Sequence, residues 1–298
     1  MKDILTIIFR LTVACLLAGL VMGVAFIATN KAKKHNIHVN EQKVMLSLLG
    51  FSAKNPAPET VAMHEVYRYL VGEGEDLATG YLLPLRDGSF SFVTIDLAGT
   101  FVAQAPVAIT AEKATEAEER TLAIGAAIGA GKAIRYADQT IVVTNNGKRT
   151  AYLLPGRFPG FKTFISAILA LDPTFSILGL EIMEHEEDPG LGGEIVQNYF
   201  KKQFKGKPLE TVKKLEVVKT PLPEEYRKAL EAEKNGLGAE EVAGIQEQYK
   251  DNDIYALTGA TISSRSVTNG VKAMVKKFAY RLAILDRVLV EQHIATSF

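Results

Sequence analysis

The sequence predicts an α+β protein, with a single N-terminal transmembrane helix followed by a domain of antiparallel hairpins and packed helices. Residues 11–29 carry no charge, turn signals separate apolar runs in the middle of the chain, and apolar residues recur at helical spacing near its end. We therefore expect an anchor over residues 1–29, a linker with a short helix over residues 30–58, and the α+β domain over residues 59–298.

The composition excludes several classes of site. The chain of 298 residues has 34 basic and 34 acidic residues, so no excess charge favours nucleic acid. A single cysteine, Cys15, excludes an internal disulfide, a cysteine-ligated cluster and a thiolate zinc site. The five histidines show no paired spacing, and we predict no metal site. Redox chemistry would therefore use an organic cofactor, or a few histidine and carboxylate ligands.

The first apolar segment has the length of a membrane anchor. About 20 apolar residues are required to cross a hydrocarbon core of ~30 Å. A signal peptide is a weaker interpretation, because its apolar region is shorter and no small-residue cleavage site precedes Asn30. A lipoprotein attached through Cys15 is also disfavoured, since the apolar run continues well beyond it. We expect the anchor to remain uncleaved.

Turn signals between apolar runs predict three hairpins. They span residues 81–97 around Asp87-Gly88, residues 140–154 around Asn146-Gly147, and residues 164–183 around Asp172-Pro173. The tetrapeptide Tyr-Leu-Leu-Pro occurs at residues 81–84 and again at 152–155, which is too short to indicate a duplication.

Four helical segments are predicted after the anchor. Residues 41–49 form the short helix of the linker, and residues 110–134 are rich in Ala and Glu. The charged residues 223–250 predict a solvated helical hairpin inserted into the domain. Residues 264–293 carry a continuous apolar stripe, which predicts a long helix that packs on the core.

A turn rich in small and hydroxyl residues precedes that last helix. Residues 258–265 have the sequence Thr-Gly-Ala-Thr-Ile-Ser-Ser-Arg. Free amides at a helix N-terminus favour a phosphate, Gly259 permits close approach, Ser263 and Ser264 can cap the helix and donate to phosphate, and Arg265 can add a charge. Taken alone, the same residues are also typical of an ordinary helix cap.

Thr258–Thr261 resembles the S/T-G-A-T motif of the FMN-binding domain family, which includes the C component of the sodium-pumping NADH:quinone reductase and the G component of the Rnf complex. In that family, a flavin transferase moves FMN from FAD onto the last threonine of the motif, through a phosphoester. The resemblance implies that this residue is Thr261.

A second segment of the chain supports the resemblance to this family. Residues 187–192, Glu-Asp-Pro-Gly-Leu-Gly, resemble the E-T-P-G-L-G loop of the same family, and residues 200–207 resemble the segment that follows it. The matching motifs lie within residues 152–281. The resemblance implies cofactor contacts from two groups: Thr258, Gly259, Ala260, Thr261, Ile262, Ser263 and Ser264, and Glu187, Asp188, Pro189, Gly190, Leu191 and Gly192.

Two positions depart from the family pattern. Tyr255 occupies the place of an aspartate that the flavin transferase is thought to recognise, and Asp188 replaces the threonine of the loop. Non-covalent FMN at the same site therefore stays an alternative to the ester.

The resemblance implies an electron-transfer subunit of a membrane-bound ion-translocating oxidoreductase complex, rather than a complete enzyme, with no catalytic residue of its own. Its expected partners are the other subunits, the membrane and the flavin transferase. The alternative is a stand-alone membrane-anchored flavoprotein, a regulator or a reductase.

The orientation in the membrane is a separate question. The domain is weakly favoured to be cytoplasmic by three lysines that follow the anchor, Lys31, Lys33 and Lys34. The family resemblance implies instead that the domain lies on the periplasmic side of the inner membrane, and we adopt that expectation.

Overall fold

Residues 48–298 contain the predicted site and are built around an eight-stranded antiparallel sheet. The computed structural model describes residues 2–129 and 131–298, with all their side chains except those of residues 2, 3, 5, 28, 30–38 and 75. By its internal contacts the chain divides into two units, Met1–Ser47 and Leu48–Phe298.

Helix α1 runs without a break from Lys2 to Leu48. Residues 30–40 of the predicted linker and its short helix at residues 41–49 are therefore parts of the helix that begins with the anchor, up to Leu48. No glycine or proline occurs between residues 24 and 49, so the polar composition alone does not end the helix. Within α1, Thr6–Ile27 has 22 residues, a mean hydropathy of 2.3 and no buried side chain, and it is long and apolar enough to cross a membrane.

The sheet contains all three predicted hairpins. Its strands are β1 (Val61–Val71), β2 (Ala78–Pro84), β3 (Phe90–Asp96), β4 (Phe101–Val107), β5 (Ile134–Asn145), β6 (Lys148–Pro159), β7 (Phe164–Leu171) and β8 (Ile177–Glu184). Their order is β4-β3-β2-β1-β5-β6-β7-β8, and each neighbouring pair is antiparallel. The α+β class predicted from the sequence is confirmed.

Local backbone geometry explains where these elements end. Asn146 and Gly147 both have positive φ, as a two-residue turn between β5 and β6 requires. Gly129, with φ +89°, ends the Ala-rich helix, which the structure divides into α2 (Ala111–Thr115) and α3 (Ala117–Ile128). The helix is therefore shorter than predicted, and β5 begins at Ile134, where the helix was expected to end.

The repeated tetrapeptide lies at equivalent places in the sheet. Strands β1–β4 and β5–β8 are two meanders whose first strands pair with each other. Residues 81–84 lie on β2 and residues 152–155 on β6, the second strand of each meander. Tyr81 and Tyr152 both face the larger core.

Each face of the sheet is covered by a helix. Helix α9 (Thr261–Glu291) starts three residues earlier than predicted and buries its apolar stripe in the larger core. Helix α3 contributes Ile124 to a smaller core with Tyr69, Leu82 and Phe92. Because adjacent residues of a strand point to opposite faces, the same strands contribute side chains to both cores.

The charged insertion is helical, as predicted. After α4 (Asn198–Lys201) and α5 (Leu209–Lys214), it forms α6 (Glu224–Leu230), α7 (Ala232–Asn235) and α8 (Ala239–Tyr249). The rings of Tyr226 and Tyr249 stack with centroids 4.2 Å apart. The short parallel strands β9 (Val217–Val218) and β10 (Ile254–Tyr255) lie on either side of the insertion in the chain and lead to α9.

Candidate functional site

The turn before α9 is fixed by a single serine. The hydroxyl of Ser264 accepts a hydrogen bond from the Leu257 amide at 3.0 Å and donates to the Ala260 carbonyl at 2.9 Å. Gly259 has φ +74°, a conformation that favours glycine. These contacts fix the conformation of the Thr-Gly-Ala-Thr segment at the N-terminus of α9, which has 31 residues.

A buried carboxylate joins this turn to two loops. Glu187 is 4% exposed, and its Oε1 accepts hydrogen bonds from the amides of Phe161 at 2.7 Å and Lys162 at 3.3 Å. Its Oε2 accepts the proton of the Ser263 hydroxyl. A buried carboxylate is tolerated when donors satisfy it in this way. Glu187 therefore brings residues 160–162, 187–192 and 258–264 together.

Two glycines make this arrangement possible. A Cβ at Gly160 would lie 2.5 Å from Oε1 of Glu187, and one at Gly192 would lie 2.5 Å from Oγ of Ser263. A side chain at position 160 or 192 would therefore prevent its loop from packing this closely around the Glu187 carboxylate. The sequence analysis identified Gly192 but not Gly160, since proximity of residues 160 and 187 depends on the pairing of β7 with β6 and β8.

The two serines differ from what the sequence predicted. Ser263 and Ser264 were expected to cap the helix and to donate to a phosphate. In the structure, both hydroxyl groups donate inside the protein, and the residue before α9, Ala260, makes no side-chain cap. Burial is the physical reason: Ser263 is 3% exposed and Ser264 is fully buried. Glu187, expected to contact the cofactor, holds the loops together in the structure.

The first turn of α9 leaves several polar groups unpaired. Within the described part of the chain, the amides of Thr261, Ile262 and Ser263 meet no acceptor, and the partly exposed Thr261 hydroxyl makes no hydrogen bond. This turn contains no acidic residue, and Arg265 is exposed within it. Unpaired amides at the positive end of a helix dipole form a suitable site for a phosphate group.

The Asp188-Pro189-Gly190-Leu191 turn lies beside this helix end. The Asp188 carbonyl accepts hydrogen bonds from Leu191 at 3.2 Å and Gly193 at 2.8 Å, while the Gly190 amide has no partner in the described residues. A Cβ at Gly259 would lie 2.8 Å from Cδ2 of Leu191, so the turn and the loop are in contact. The loop therefore forms one wall of the site.

Three large apolar side chains project from the three joined segments into solvent. Phe161 is 56% exposed, Leu191 46% and Ile262 57%. Exposed apolar side chains grouped in this way are typical of a binding site. Phe161 was not identified in the sequence, because a single phenylalanine in a loop carries no recognisable pattern.

One ion pair lies at the edge of the site. Lys162 pairs with Asp188, and both side chains are nearly half exposed. The hydrogen bond to Asp188, together with its charge, raises the pKa of Lys162. An exposed pair of this kind contributes little to stability.

Tyr255, the departure from the family pattern, has a structural role here. Its amide donates to Oε1 of Gln203 at 2.8 Å, and its ring packs edge-on against Tyr226 and Tyr249. Tyr255 thus belongs to the contact surface of the charged insertion.

Residues 160–276 match the family model of the FMN-binding domain. The chain is similar to the G component of the proton-translocating ferredoxin:NAD(+) oxidoreductase complex of Clostridium ljungdahlii, with 27% identity over 49% of this chain and 60% of the relative. It is also similar to the G components of the ion-translocating oxidoreductase complexes of Pasteurella multocida (37% identity; 20% of this chain, 29% of the relative) and Vibrio vulnificus (33%; 26% and 36%). The matches thus cover less than two thirds of the length of each relative.

Two solved structures are also similar. NqrC of Shewanella oneidensis has 22% identity and a TM-score of 0.35, covering 47% of this chain and 56% of that one. The C component of the Na(+)-translocating NADH-quinone reductase of Parabacteroides distasonis has 18% identity and a TM-score of 0.31, covering 48% and 61%. Residues 160–276 are thus similar to the FMN-binding domain, whose cofactor is FMN.

Proposed function

We propose that this chain is the FMN-carrying electron-transfer subunit of a membrane-bound ion-translocating oxidoreductase complex, with the phosphate of FMN esterified to Thr261. The observation that carries the proposal is the state of Thr261. Its hydroxyl is partly exposed, makes no hydrogen bond in the described part of the chain, and lies among unpaired amides in the segment that matches the FMN-binding domain.

Within the site, the first turn of α9 is the part best suited to hold a phosphate ester. The amides of Thr261, Ile262 and Ser263 can donate to phosphate oxygens, and the dipole of a long helix stabilises the negative charge. Arg265, exposed in the same turn, can contribute a charge-assisted hydrogen bond. The neighbouring hydroxyls of Ser263 and Ser264 are already used inside the protein, which leaves Thr261 and Thr258 as acceptors of the flavin.

The proposed attachment requires a second protein. A flavin transferase would join the Thr261 oxygen to the phosphorus of the FMN half of FAD, while the bond between the two phosphates of FAD breaks. AMP would leave with that bridging oxygen, and the hydroxyl proton of the threonine would be released. No electrons are exchanged in this step.

The remaining residues of the site orient and shield the ring system. Phe161, Leu191 and Ile262 offer apolar surface beside the phosphate position. FMN supplies chemistry that links donors of electron pairs to carriers of single electrons, and the protein sets its position and environment. Glu187 holds the loops that carry these side chains and is itself covered by Ser263 and two amides.

Assembly and location follow the relatives and remain part of the proposal. The relatives are named as G components of translocating complexes, and the apolar Thr6–Ile27 segment can span a bilayer. We propose a single-pass protein of the inner membrane, with residues 48–298 on the periplasmic side.

The change Thr261→Val tests the attachment, with Thr258→Val as its matched control. Both proteins are produced with the flavin transferase, denatured and washed. We expect flavin absorption to persist in the Thr258→Val protein and to be lost from the Thr261→Val protein. Thermal unfolding of the Thr261→Val protein should be unchanged, because the Thr261 hydroxyl makes no hydrogen bond to the described residues. Flavin that remains after Thr261→Val contradicts the assignment, and flavin lost from the wild-type chain on denaturation supports the non-covalent alternative.

A further inference from the structure

A cleft lies between the centre of the sheet and the C-terminal half of α9. It opens to solvent, with walls from β1, β2 and β5 on one side and α9 on the other. Arg281 follows Thr261 by 20 positions on the same helix, so the cleft is about 30 Å from the proposed flavin site.

Three charged side chains form the polar side of the cleft. Nε of Arg68 donates to Oδ1 of Asp138 at 2.9 Å, and Nη1 of Arg281 donates to Oδ2 at 2.9 Å. The three side chains are 16%, 26% and 32% exposed, in the order Arg68, Arg281, Asp138. Two guanidinium groups face one carboxylate, which among the described residues leaves one positive charge uncompensated and several N–H groups free.

A tyrosine hydroxyl in the same wall has no hydrogen-bond partner among the described residues. Tyr81 is 7% exposed and lines the cleft, and its hydroxyl makes no hydrogen bond in the part of the chain that the structure describes. This hydroxyl is therefore free to donate a hydrogen bond to a group bound in the cleft.

Apart from Thr140, the remaining walls of the cleft are apolar. Phe278, Leu282 and Leu285 of α9 face Val66 and Val142 of the sheet. A ligand here must therefore combine an apolar body with one anionic group. A planar guanidinium matches a carboxylate particularly well.

We propose that this cleft binds a small monocarboxylate with an apolar body, held by Arg68, Arg281 and the Tyr81 hydroxyl. The apolar body lies against Phe278 and Leu282. One bound negative charge balances the two arginines and Asp138, whereas a cation would be repelled and a dianion would leave a net negative charge in a half-buried site.

Fluorine NMR of 4-fluorobenzoate with the full-length protein in lipid nanodiscs tests the proposal. We expect the fluorine line to broaden relative to empty nanodiscs, and unlabelled benzoate to reverse the broadening. 4-Fluorobenzyl alcohol, which has the ring without the charge, is the control and should bind at least tenfold more weakly. Absence of broadening, or equal binding of the alcohol, overturns the proposal.

Two pairs of variants locate the binding. Tyr81→Phe should weaken it about 2- to 10-fold, the range for one hydrogen bond, while Tyr280→Phe on the exposed side of α9 should leave it unchanged. Arg281→Gln should weaken it at least tenfold, and Lys277→Gln on the same helix should not. If Tyr81→Phe and Arg281→Gln bind the benzoate like their controls, the cleft is not the site.

Discussion

At the scale of single residues, one buried carboxylate determines the shape of the candidate site. Glu187 accepts hydrogen bonds from three donors on two other segments, and Gly160 and Gly192 permit that approach. The motif at residues 258–261 was recognisable because it lies within four consecutive positions. The contact of Glu187 with residues 160–162 was not, since tertiary structure alone brings these segments together.

Replacing this carboxylate by an amide should loosen the site. In Glu187→Gln, one of the three donors faces an N–H₂ group instead of an oxygen, and a buried donor left unpaired costs about 1–3 kcal/mol. We expect the free energy of unfolding to fall by about that amount, measured by urea denaturation. Glu186→Gln is the control, because Glu186 is exposed. Equal stability of the two variants would show that Glu187 does not hold the loops together.

A second carboxylate should make stability depend on pH. Burial raises the pKa of Asp138, but the hydrogen bonds and charges of Arg68 and Arg281 outweigh it and hold the pKa below its usual value. A carboxylate with a lowered pKa stabilises the fold above its unfolded pKa of about 3.9 and loses this contribution as pH falls through the folded value.

The wild-type protein should therefore be more stable than Asp138→Asn at pH 7, and this difference should shrink below about pH 4. Urea denaturation at both pH values measures it, with Asp76→Asn at an exposed position as the control. A difference that stays constant or grows in acid is inconsistent with this account of the ion pairs.

At the scale of elements, the turns were predictable and the isolated strands were not. Two-residue signals such as Asn146-Gly147 fix a hairpin locally, so β2–β3, β5–β6 and β7–β8 were found. Strands β1 and β4 lack such signals and are specified by pairing with neighbours in the sheet. Residues 30–40 were misassigned because polar residues without glycine or proline are compatible with a helix.

The charged insertion is attached to the domain through aromatic rings. Tyr226 stacks on Tyr249, and both contact Tyr255 of β10. Tyr226→Ala removes the central ring, and we expect faster hydrogen–deuterium exchange of residues 224–249 with unchanged exchange in the sheet. Tyr280→Ala, at a side chain that is 66% exposed, is the control. Unchanged exchange in the insertion would mean that these rings do not secure it.

At the scale of the whole molecule, the proposed orientation follows the family rather than the charges. Lys31, Lys33 and Lys34 favour the cytoplasmic side only weakly. If residues 48–298 are periplasmic, protease added to spheroplasts should degrade this domain, and the domain should be protected in inverted membrane vesicles. A cytoplasmic enzyme serves as the control for leakage. Protection in intact spheroplasts would place the domain on the cytoplasmic side.

The domain boundaries at residues 29 and 58 remain predictions. By its internal contacts the chain divides at Ser47, close to the end of α1 at Leu48 and inside the expected linker. Tyr-Leu-Leu-Pro on β2 and β6 shows that a short sequence echo can mark equivalent strands. Four residues are too few to establish this from sequence, since such a match also arises by chance.

The most direct measurement of the central claim is fragmentation mass spectrometry of the tryptic peptide Asp251–Arg265 from protein made with the flavin transferase. This peptide contains both Thr258 and Thr261. We predict that it carries the mass of FMN joined through its phosphate, and that the fragments assign it to Thr261. An unmodified peptide, or FMN assigned to another residue, would contradict the account.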